Sequence, residues 1–200
     1  MIKPAKPKKF KSMMKNKFDL GELNYLLKEL EFGIDVQTNT IFLNSEISTD
    51  VLYETISRFN FLMKFSKGAI NLNVSSFGGD VYSMFGIHDF IRGMPVKVNT
   101  ICIGPAMSAA AFLLTSGTGE RIVTRNSTIM FHQFSSLMEG KTQALEVNLA
   151  YVKKLQGRAE VLLGKYTKKP TSFWKENTKE DFYLSAEEAL EFGVVDKVVG

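Results

Sequence analysis

Strand-like and helix-like segments alternate along the chain, and this alternation constrains the fold more than any other feature of the sequence. Residues 69–74 place Ile70, Leu72 and Val74 on one face, which is the period-two pattern of a strand. Residues 52–63, just before them, repeat apolar side chains at steps of three and four, as an amphipathic helix does. Such alternation favours an α/β architecture.

The same patterns extend over most of the chain. Further strands are predicted at 40–43, 96–103, 122–123 and 129–131, and further helices at 18–31, 81–91, 106–116 and 141–166. The strand at 96–103 is expected to stop at Gly104-Pro105. The helix at 141–166 is longer than the average globular helix, and a helix of that reach often projects to meet another subunit.

The end of the chain carries clear helix-boundary signals. Ser185 and Glu188 have the spacing of a capping box, in which each side chain bonds the backbone of the other residue. Gly193 suits the position just after the helix that follows.

Composition excludes several classes of protein. The 200 residues, 44% of them hydrophobic, are enough to bury one substantial core. No apolar run reaches the roughly 18 residues of a membrane-spanning helix, and residues 1–17 lack the apolar stretch of a secretory signal. One cysteine, Cys102, and two histidines count against a disulfide framework and a metal site. We expect a cytoplasmic protein without a metal and without a membrane partner.

The net charge of +4 is unevenly distributed. Residues 1–17 hold seven lysines and no acid, whereas the other 183 residues carry 18 basic and 21 acidic side chains. We expect a flexible basic arm at 1–17 and one globular domain at 18–200. A contact between the arm and an acidic partner is the alternative. A mildly acidic body is not the basic face of a nucleic-acid-binding domain, so no nucleic acid is expected.

Ser108 lies in a run of small residues that follows the strand at 96–103. Its hydroxyl would sit at the N-terminus of the helix predicted at 106–116, where free N–H groups and the helix dipole favour negative charge. On local sequence alone a simple N-cap serine is the better interpretation.

His132 and Asp181 have equally ordinary interpretations when taken singly. A histidine at a strand end is more often packed than catalytic, and Asp181 resembles a solvated loop carboxylate. Together with Ser108, however, they supply the nucleophile, the general base and the group that orients the imidazole in acyl transfer. The spacing alone does not bring residues spread over 74 positions together.

Gly78-Gly79 directly follows the strand at 69–74, where glycines allow backbone conformations closed to other residues. The N–H groups of Gly79 and Asp80, and that of Ala109, are candidates to stabilise a tetrahedral oxyanion. A Gly-Gly pair by itself more often marks a turn.

Four segments of the chain resemble the ClpP proteolytic subunit family. They are, in order, 73–81 (NVSSFGGDV), 100–114 (TICIGPAMSAAAFLL), 126–133 (NSTIMFHQ) and 182–196 (FYLSAEEALEFGVVD). They match the family's oxyanion-loop strand, nucleophile segment, base segment and C-terminal segment, and the family's catalytic aspartate falls on Asp181. The resemblance is colinear from about Leu20 to the C-terminus.

The resemblance implies a self-compartmentalising serine endopeptidase that cleaves unfolded polypeptides or short peptides. It implies a ClpP/crotonase-like spiral of β-β-α units, with the helix at 141–166 as a projecting handle. It also implies a homo-oligomer of two stacked seven-membered rings, fed by a hexameric Clp ATPase. ATP would belong to that partner, so no cofactor is expected in this chain.

The sequence departs from the family pattern at several positions. Phe77 replaces a proline before the glycine pair, and Ala109 replaces a methionine after Ser108. Phe134, Ser135 and Ser136 stand where the family has a proline and a glycine pair, in the strand that holds substrate. These three residues are therefore the predicted substrate-binding residues.

Lys179-Glu180 occupies the place of an acid–arginine pair that often switches contacts between the rings. The lysine-rich start does not resemble the family's axial-pore loop, so gating by an ATPase is the least supported part of the resemblance.

Two alternatives belong to other functional classes. One is a non-catalytic ring subunit or scaffold, against which all three triad positions argue. The other is a crotonase-type acyl-CoA enzyme, which shares the fold but needs no nucleophilic serine. Among the remaining residues, His88 is expected to be structural, Cys102 a buried thiol and Trp174 a packing residue near Asp181.

Overall fold

The computed structural model describes residues 27–135 and 139–200. The predicted arm at 1–17, most of the helix predicted at 18–31 and Ser136 lie outside these residues. Residues 27–32 are helical. The strands are β1 (Ile34–Asp35), β2 (Thr40–Leu43), β3 (Ile70–Ser76), β4 (Val98–Met107), β5 (Arg121–Thr124), β6 (Thr128–Phe131), β7 (Phe182–Leu184) and β8 (Lys197–Val199).

The helices lie between these strands. They are α1 (Thr49–Leu62), α2 (Val81–Gly93), α3 (Ala109–Thr115), α4 (Thr142–Tyr166), α5 (Thr171–Asn177) and α6 (Ala186–Glu191). The α/β class is therefore confirmed. The predicted helices occur in the predicted order, whereas β1, β7, β8 and α5 were not predicted. Among the described helices, none is long and apolar enough to cross a bilayer.

The strands form one mixed sheet. Its main path runs β1-β2-β3-β4-β5-β8, with parallel pairing from β2 to β8 and antiparallel pairing between β1 and β2. Off this path, β6 pairs parallel with β4, and β7 pairs antiparallel with β6. In β3, buried side chains alternate with partly exposed ones along the whole strand. This alternation buries one face of the strand in the core, as the period-two pattern predicts.

β4 does not stop at Gly104-Pro105, so the predicted end of this strand is wrong. The strand continues to Met107 because it changes partner. Its first half pairs with β5 up to Cys102, and its second half pairs with β6 from Pro105, opposite Thr128. A proline lacks only the N–H donor, so it can occupy a strand where that donor is not needed. The helix predicted from residue 106 consequently begins at Ala109.

α4 projects from the body over its first half. Its buried residues are Leu155, Ala159, Glu160 and Leu163, all in its second half. In the first half Val147, Leu149 and Tyr151 are 65%, 47% and 50% exposed. Within residues 27–135 and 139–200, no core therefore lies beneath the first half of the helix.

α6 begins with the predicted capping box. Ser185 Oγ accepts from Glu188 N–H, and the Glu188 carboxylate accepts from Ser185 N–H. Gly193 follows the helix with φ +72°, as its predicted position requires. Arg121 secures this end of the fold, since its guanidinium donates to Tyr166 O, Gly193 O and the Asp196 carboxylate.

Candidate active site

Ser108 and His132 lie in direct contact. Ser108 Oγ and His132 Nε2 are 2.7 Å apart, which is the distance of a strong hydrogen bond. Both residues are half-buried, so the pair is shielded but open to a ligand. This is the nucleophile–base contact that acyl transfer requires.

The partner change of β4 explains how the two residues meet. Met107, the last residue of β4, pairs with Met130 of β6, and Ser108 N–H donates to Met130 O at 2.7 Å. His132 follows β6 directly, as Ser108 follows β4. The nucleophile and the base therefore stand at adjacent ends of two parallel strands.

The backbone of Ser108 is strained. Its φ of 54° and ψ of −123° fall in a region that residues with a side chain rarely adopt, at a cost of about 1–3 kcal/mol. Ser108 occupies the N-cap position of α3, but its side chain makes no capping hydrogen bond. The N-cap interpretation is wrong, because the hydroxyl bonds His132 instead. The first N–H groups of α3, including that of Ala109, have no acceptor within the helix.

The glycine pair packs tightly on both sides. A Cβ on Gly78, whose φ is +107°, would lie 2.7 Å from Ser108 Cβ and 3.1 Å from Ala109 N. A Cβ on Gly79, whose φ is +145°, would clash with the Ile47 carbonyl and lie 2.8 Å from Ile47 N. Only glycine fits at these two positions, and the close approach brings the loop against the nucleophile.

The prediction that Asp80 N–H is an oxyanion donor needs correction. Asp80 N–H donates to Ile47 O at 2.7 Å, and Ile47 N–H donates to Gly78 O at 2.7 Å. These two bonds form an isolated parallel bridge between Ile47 and Gly79, which directs Gly79 N–H away from Ile47. The Asp80 carboxylate caps α2 by accepting from Ser83 N–H at 2.7 Å. Of the three predicted oxyanion donors, the N–H groups of Gly79 and Ala109 therefore remain.

Asp181 lies beside His132 along the backbone. β6 and β7 pair with Phe131 opposite Phe182, so the next antiparallel position sets His132 opposite Asp181. The Asp181 side chain is nevertheless exposed, and no hydrogen bond joins it to His132 among the described residues. The register brings the third residue close, but its carboxylate does not complete the triad in the single chain.

The segment after His132 differs from expectation. Residues 132–135 form no strand. Gln133 N–H donates to Thr178 O at 2.8 Å, and Phe134 N–H donates to Gln156 Oε1 at 2.9 Å. Phe134 is half-buried and Ser135 exposed. The N–H of Phe134 is therefore already bonded, although a strand that holds substrate would need free backbone groups.

His88 is not a rival base for Ser108. Its ring nitrogens bond Asp89 Oδ1 at 2.7 Å and Tyr166 Oη at 2.9 Å, and burial lowers its pKa below the ordinary value. Burial also raises the pKa of the Cys102 thiol to about 11, so this cysteine stays protonated.

Trp174 is fully buried, with its ring centroid 4.9 Å from that of Phe131, the last residue of β6. It also contacts the ring of Phe182, which follows Asp181, at a centroid distance of 6.4 Å. Its predicted packing role near Asp181 is confirmed.

Sequence reasoning missed three residues that shape the site. Met130 and Ile47 act through their backbones, which carry no sequence signal. Gln156 did leave a signal, because Gln156 and Glu160 are two polar residues four apart on the part of α4 that packs against the body.

The described residues contain no group of three or more histidine, cysteine or acidic side chains that could hold a metal ion.

A family model described as Clp protease matches residues 33–200. The match covers most of the chain and includes Ser108, His132 and Asp181. It confirms the resemblance carried by the four sequence segments, and it supports a ClpP-like peptidase. From this match and the α/β fold we conclude that the chain belongs to the Clp protease family.

Proposed function

We propose that the protein is a serine endopeptidase in which Ser108 attacks the peptide carbonyl and His132 is the general base. The 2.7 Å contact between Ser108 Oγ and His132 Nε2 is the observation that carries this proposal. His132 takes the hydroxyl proton as Ser108 forms the acyl-enzyme, and returns it to the leaving amine. Water then takes the place of the amine and attacks the ester. His132 accepts a proton from this water and returns it to Ser108 Oγ as the acyl group leaves.

The developing oxyanion would bind to the N–H groups of Gly79 and Ala109. Gly78 brings this loop into contact with Ser108, and the strained Ser108 backbone leaves the N-terminus of α3 uncapped. Preorganised backbone donors of this kind typically contribute a factor of about 100–1,000 each to the rate. Asp181 would stabilise the imidazolium once its carboxylate turns toward His132.

Assembly into two stacked seven-membered rings is part of the proposal. The first half of α4 exposes apolar side chains that the described part of the chain leaves uncovered, which supports a contact with another subunit through this helix. A closed chamber would restrict the substrates to unfolded polypeptides and short peptides. A hexameric Clp ATPase would deliver the longer ones, and the family would place the enzyme in the cytoplasm.

Labelling by a fluorophosphonate probe tests the serine mechanism. We expect the probe to modify the wild-type protein and to fail with Ser108→Ala, which should also lose cleavage of small fluorogenic peptides. Ser57→Ala, which removes an exposed serine on α1, is the control and should behave as the wild type. Full labelling of Ser108→Ala would overturn the assignment, and no labelling of the wild type would favour a non-catalytic ring subunit.

A second experiment tests the assembly. Size-exclusion chromatography with light scattering, combined with a peptidase assay on each fraction, should place the activity in the fraction with the mass of two seven-membered rings. An active monomer would contradict the ring proposal without affecting the serine mechanism.

A further inference from the structure

We propose that Gln156 is a positioning residue that holds the general base in place through the backbone of Phe134. The inference rests on the proposed function of His132. Phe134 is two residues beyond His132, and its N–H donates to Gln156 Oε1 at 2.9 Å. Gln156 thus links the second half of α4 to the segment that carries the base.

Glu160 fixes the orientation of the Gln156 amide. Gln156 Nε2 donates to Glu160 Oε1 at 2.9 Å, and Glu160 is only 6% exposed. Because the amide nitrogen bonds a carboxylate, the amide oxygen must be the atom that faces Phe134 N–H. Each of the two hydrogen bonds, from Phe134 to Gln156 and from Gln156 to Glu160, therefore has one donor and one acceptor.

Among the described residues, the segment at 132–135 makes few other backbone hydrogen bonds. β6 ends at Phe131, so no strand ladder holds the residues that follow it. Two backbone N–H groups anchor the segment, Gln133 to Thr178 O and Phe134 to Gln156. Losing the Gln156 contact would leave a half-buried donor unsatisfied and remove one of these two anchors.

The ring of Phe134 makes a second contact, on a different helix from the one that its N–H group contacts. It packs edge-on against Phe85 of α2, with ring centroids 6.4 Å apart, and Phe85 in turn packs edge-on against Phe112 of α3. The ring and the N–H of Phe134 are therefore held by different helices. Without Gln156 the segment could turn about the ring contact and carry His132 away from Ser108.

His132 must keep its contact with Ser108 Oγ through two proton transfers. A displacement of about 1 Å of a catalytic group can cost on the order of 100-fold in rate. We expect Gln156→Ala to lower kcat by about 10-fold or more and to change KM little, because Gln156 acts on the base and does not touch the substrate. Probe labelling of Ser108 should slow by a similar factor.

A charge-swapped pair separates positioning from a general structural role. Gln156→Glu alone would set two carboxylates against each other and should be impaired. With Glu160→Gln added, the carboxylate introduced at position 156 would accept from both Phe134 N–H and the new amide at position 160. The double variant should therefore recover to within about 3-fold of the wild type. Gln37→Ala, which removes an exposed glutamine in the turn between β1 and β2, is the matched control and should keep full activity.

Amide hydrogen exchange over residues 133–135 provides a readout that needs no activity. Exchange should be faster in Gln156→Ala than in the wild type, and it should return to the wild-type rate in the double variant. Unchanged kcat and unchanged exchange in Gln156→Ala would overturn the positioning role alone. Failure of the wild type to react with the probe would instead overturn the proposed function.

Discussion

Asp181 lies opposite His132 across the ends of β6 and β7, but its exposed carboxylate does not bond the imidazole. The backbone register of the two strands sets this proximity. The side chain has no such constraint, since it projects from the residue just before β7. In the proposed mechanism, the contact between Ser108 and His132 and the orientation of His132 by a carboxylate are therefore separate events.

Replacement of Asp181 tests whether its carboxylate orients His132. Asp181→Asn should lower kcat for peptide cleavage on the order of 100-fold or more, because an amide cannot stabilise the imidazolium. Its melting temperature should stay near that of the wild type, since the side chain is exposed. Glu191→Gln removes an exposed carboxylate at the end of α6 and is the control. Full activity of Asp181→Asn would show that Ser108 and His132 act without a third residue.

Gly79→Ala tests the close approach of the oxyanion loop. The new Cβ would meet the Ile47 backbone at a φ of +145°, so the bridge that holds the loop must break. We expect loss of peptidase activity and a fall in the free energy of unfolding of about 2 kcal/mol or more. Kinetics and urea unfolding measure the two effects.

Gly93→Ala is the matched control for this substitution. Gly93 ends α2, and apart from its chain neighbours and its own helix no atom of the described residues lies within 4 Å of a Cβ added there. The added methyl should leave activity unchanged and raise the free energy of unfolding by up to about 1 kcal/mol. A Gly79→Ala variant that is as active as Gly93→Ala would remove the loop from the mechanism.

Buried His88 should make stability depend on pH. Burial lowers its pKa, against an opposing hydrogen bond and charge from Asp89, while Arg92 and Lys165 lower it further. The unfolded chain then takes up a proton at higher pH than the folded chain, so stability falls as the pH drops below about 6.5. Urea unfolding at pH 7.5, 6.5 and 5.5, followed by the fluorescence of Trp174, measures this fall.

His88→Gln should flatten the pH dependence in that interval. The chain has only one other histidine, and His132→Gln keeps His88 and should keep the dependence. A steep loss of stability in His88→Gln between pH 6.5 and 5.5 would assign the effect to another group.

The exposed face of α4 provides a test of assembly. Tyr151→Asp places a charge on a residue that is half exposed in the single chain. It should disrupt the ring–ring contact and reduce the mass measured by light scattering, while changing the unfolding of the subunit by no more than about 0.5 kcal/mol. Asn60→Asp adds the same charge at an exposed polar position of α1 and should leave the mass unchanged. A Tyr151→Asp variant with the wild-type mass would exclude Tyr151 from the contact.

The sequence predicted the longer regular elements well because their signals are local, whereas the short elements β1, β7, β8 and α5 were missed. α4 was predicted at 141–166 and spans Thr142–Tyr166, since the spacing of its apolar residues is set by the helix itself. The prediction failed where a distant partner decides the outcome. β4 continues past Gly104 because β6 supplies a new partner. Asp80 loses its free N–H to Ile47, a residue 33 positions earlier.

The candidate site was predicted only as far as backbone pairing sets the positions of its residues. Ser108 and His132 meet because strand pairing sets their backbones side by side, and the family resemblance already implied this pairing. The exposed side chain of Asp181 and the contact between Gln156 and Phe134 depend on rotamers and on packing between helices. The spacing of Gln156 and Glu160 indicates a polar pair on α4 but not its contact with Phe134, and no sequence pattern encodes the direction of the Asp181 side chain.

β6 and β7 branch from β4, and Ser108, His132 and Asp181 each adjoin the end of one of these three strands. The Gly78-Gly79 loop instead follows β3, which pairs with the opposite edge of β4. Under the proposed mechanism, a slide of β4 and its branch along β3 would separate the Ser108 hydroxyl from Gly79 N–H while leaving the Ser108–His132 distance unchanged. The proposal therefore includes an inactive form with an intact Ser108–His132 contact, and the distance between Gly78 and Ser108 would distinguish it.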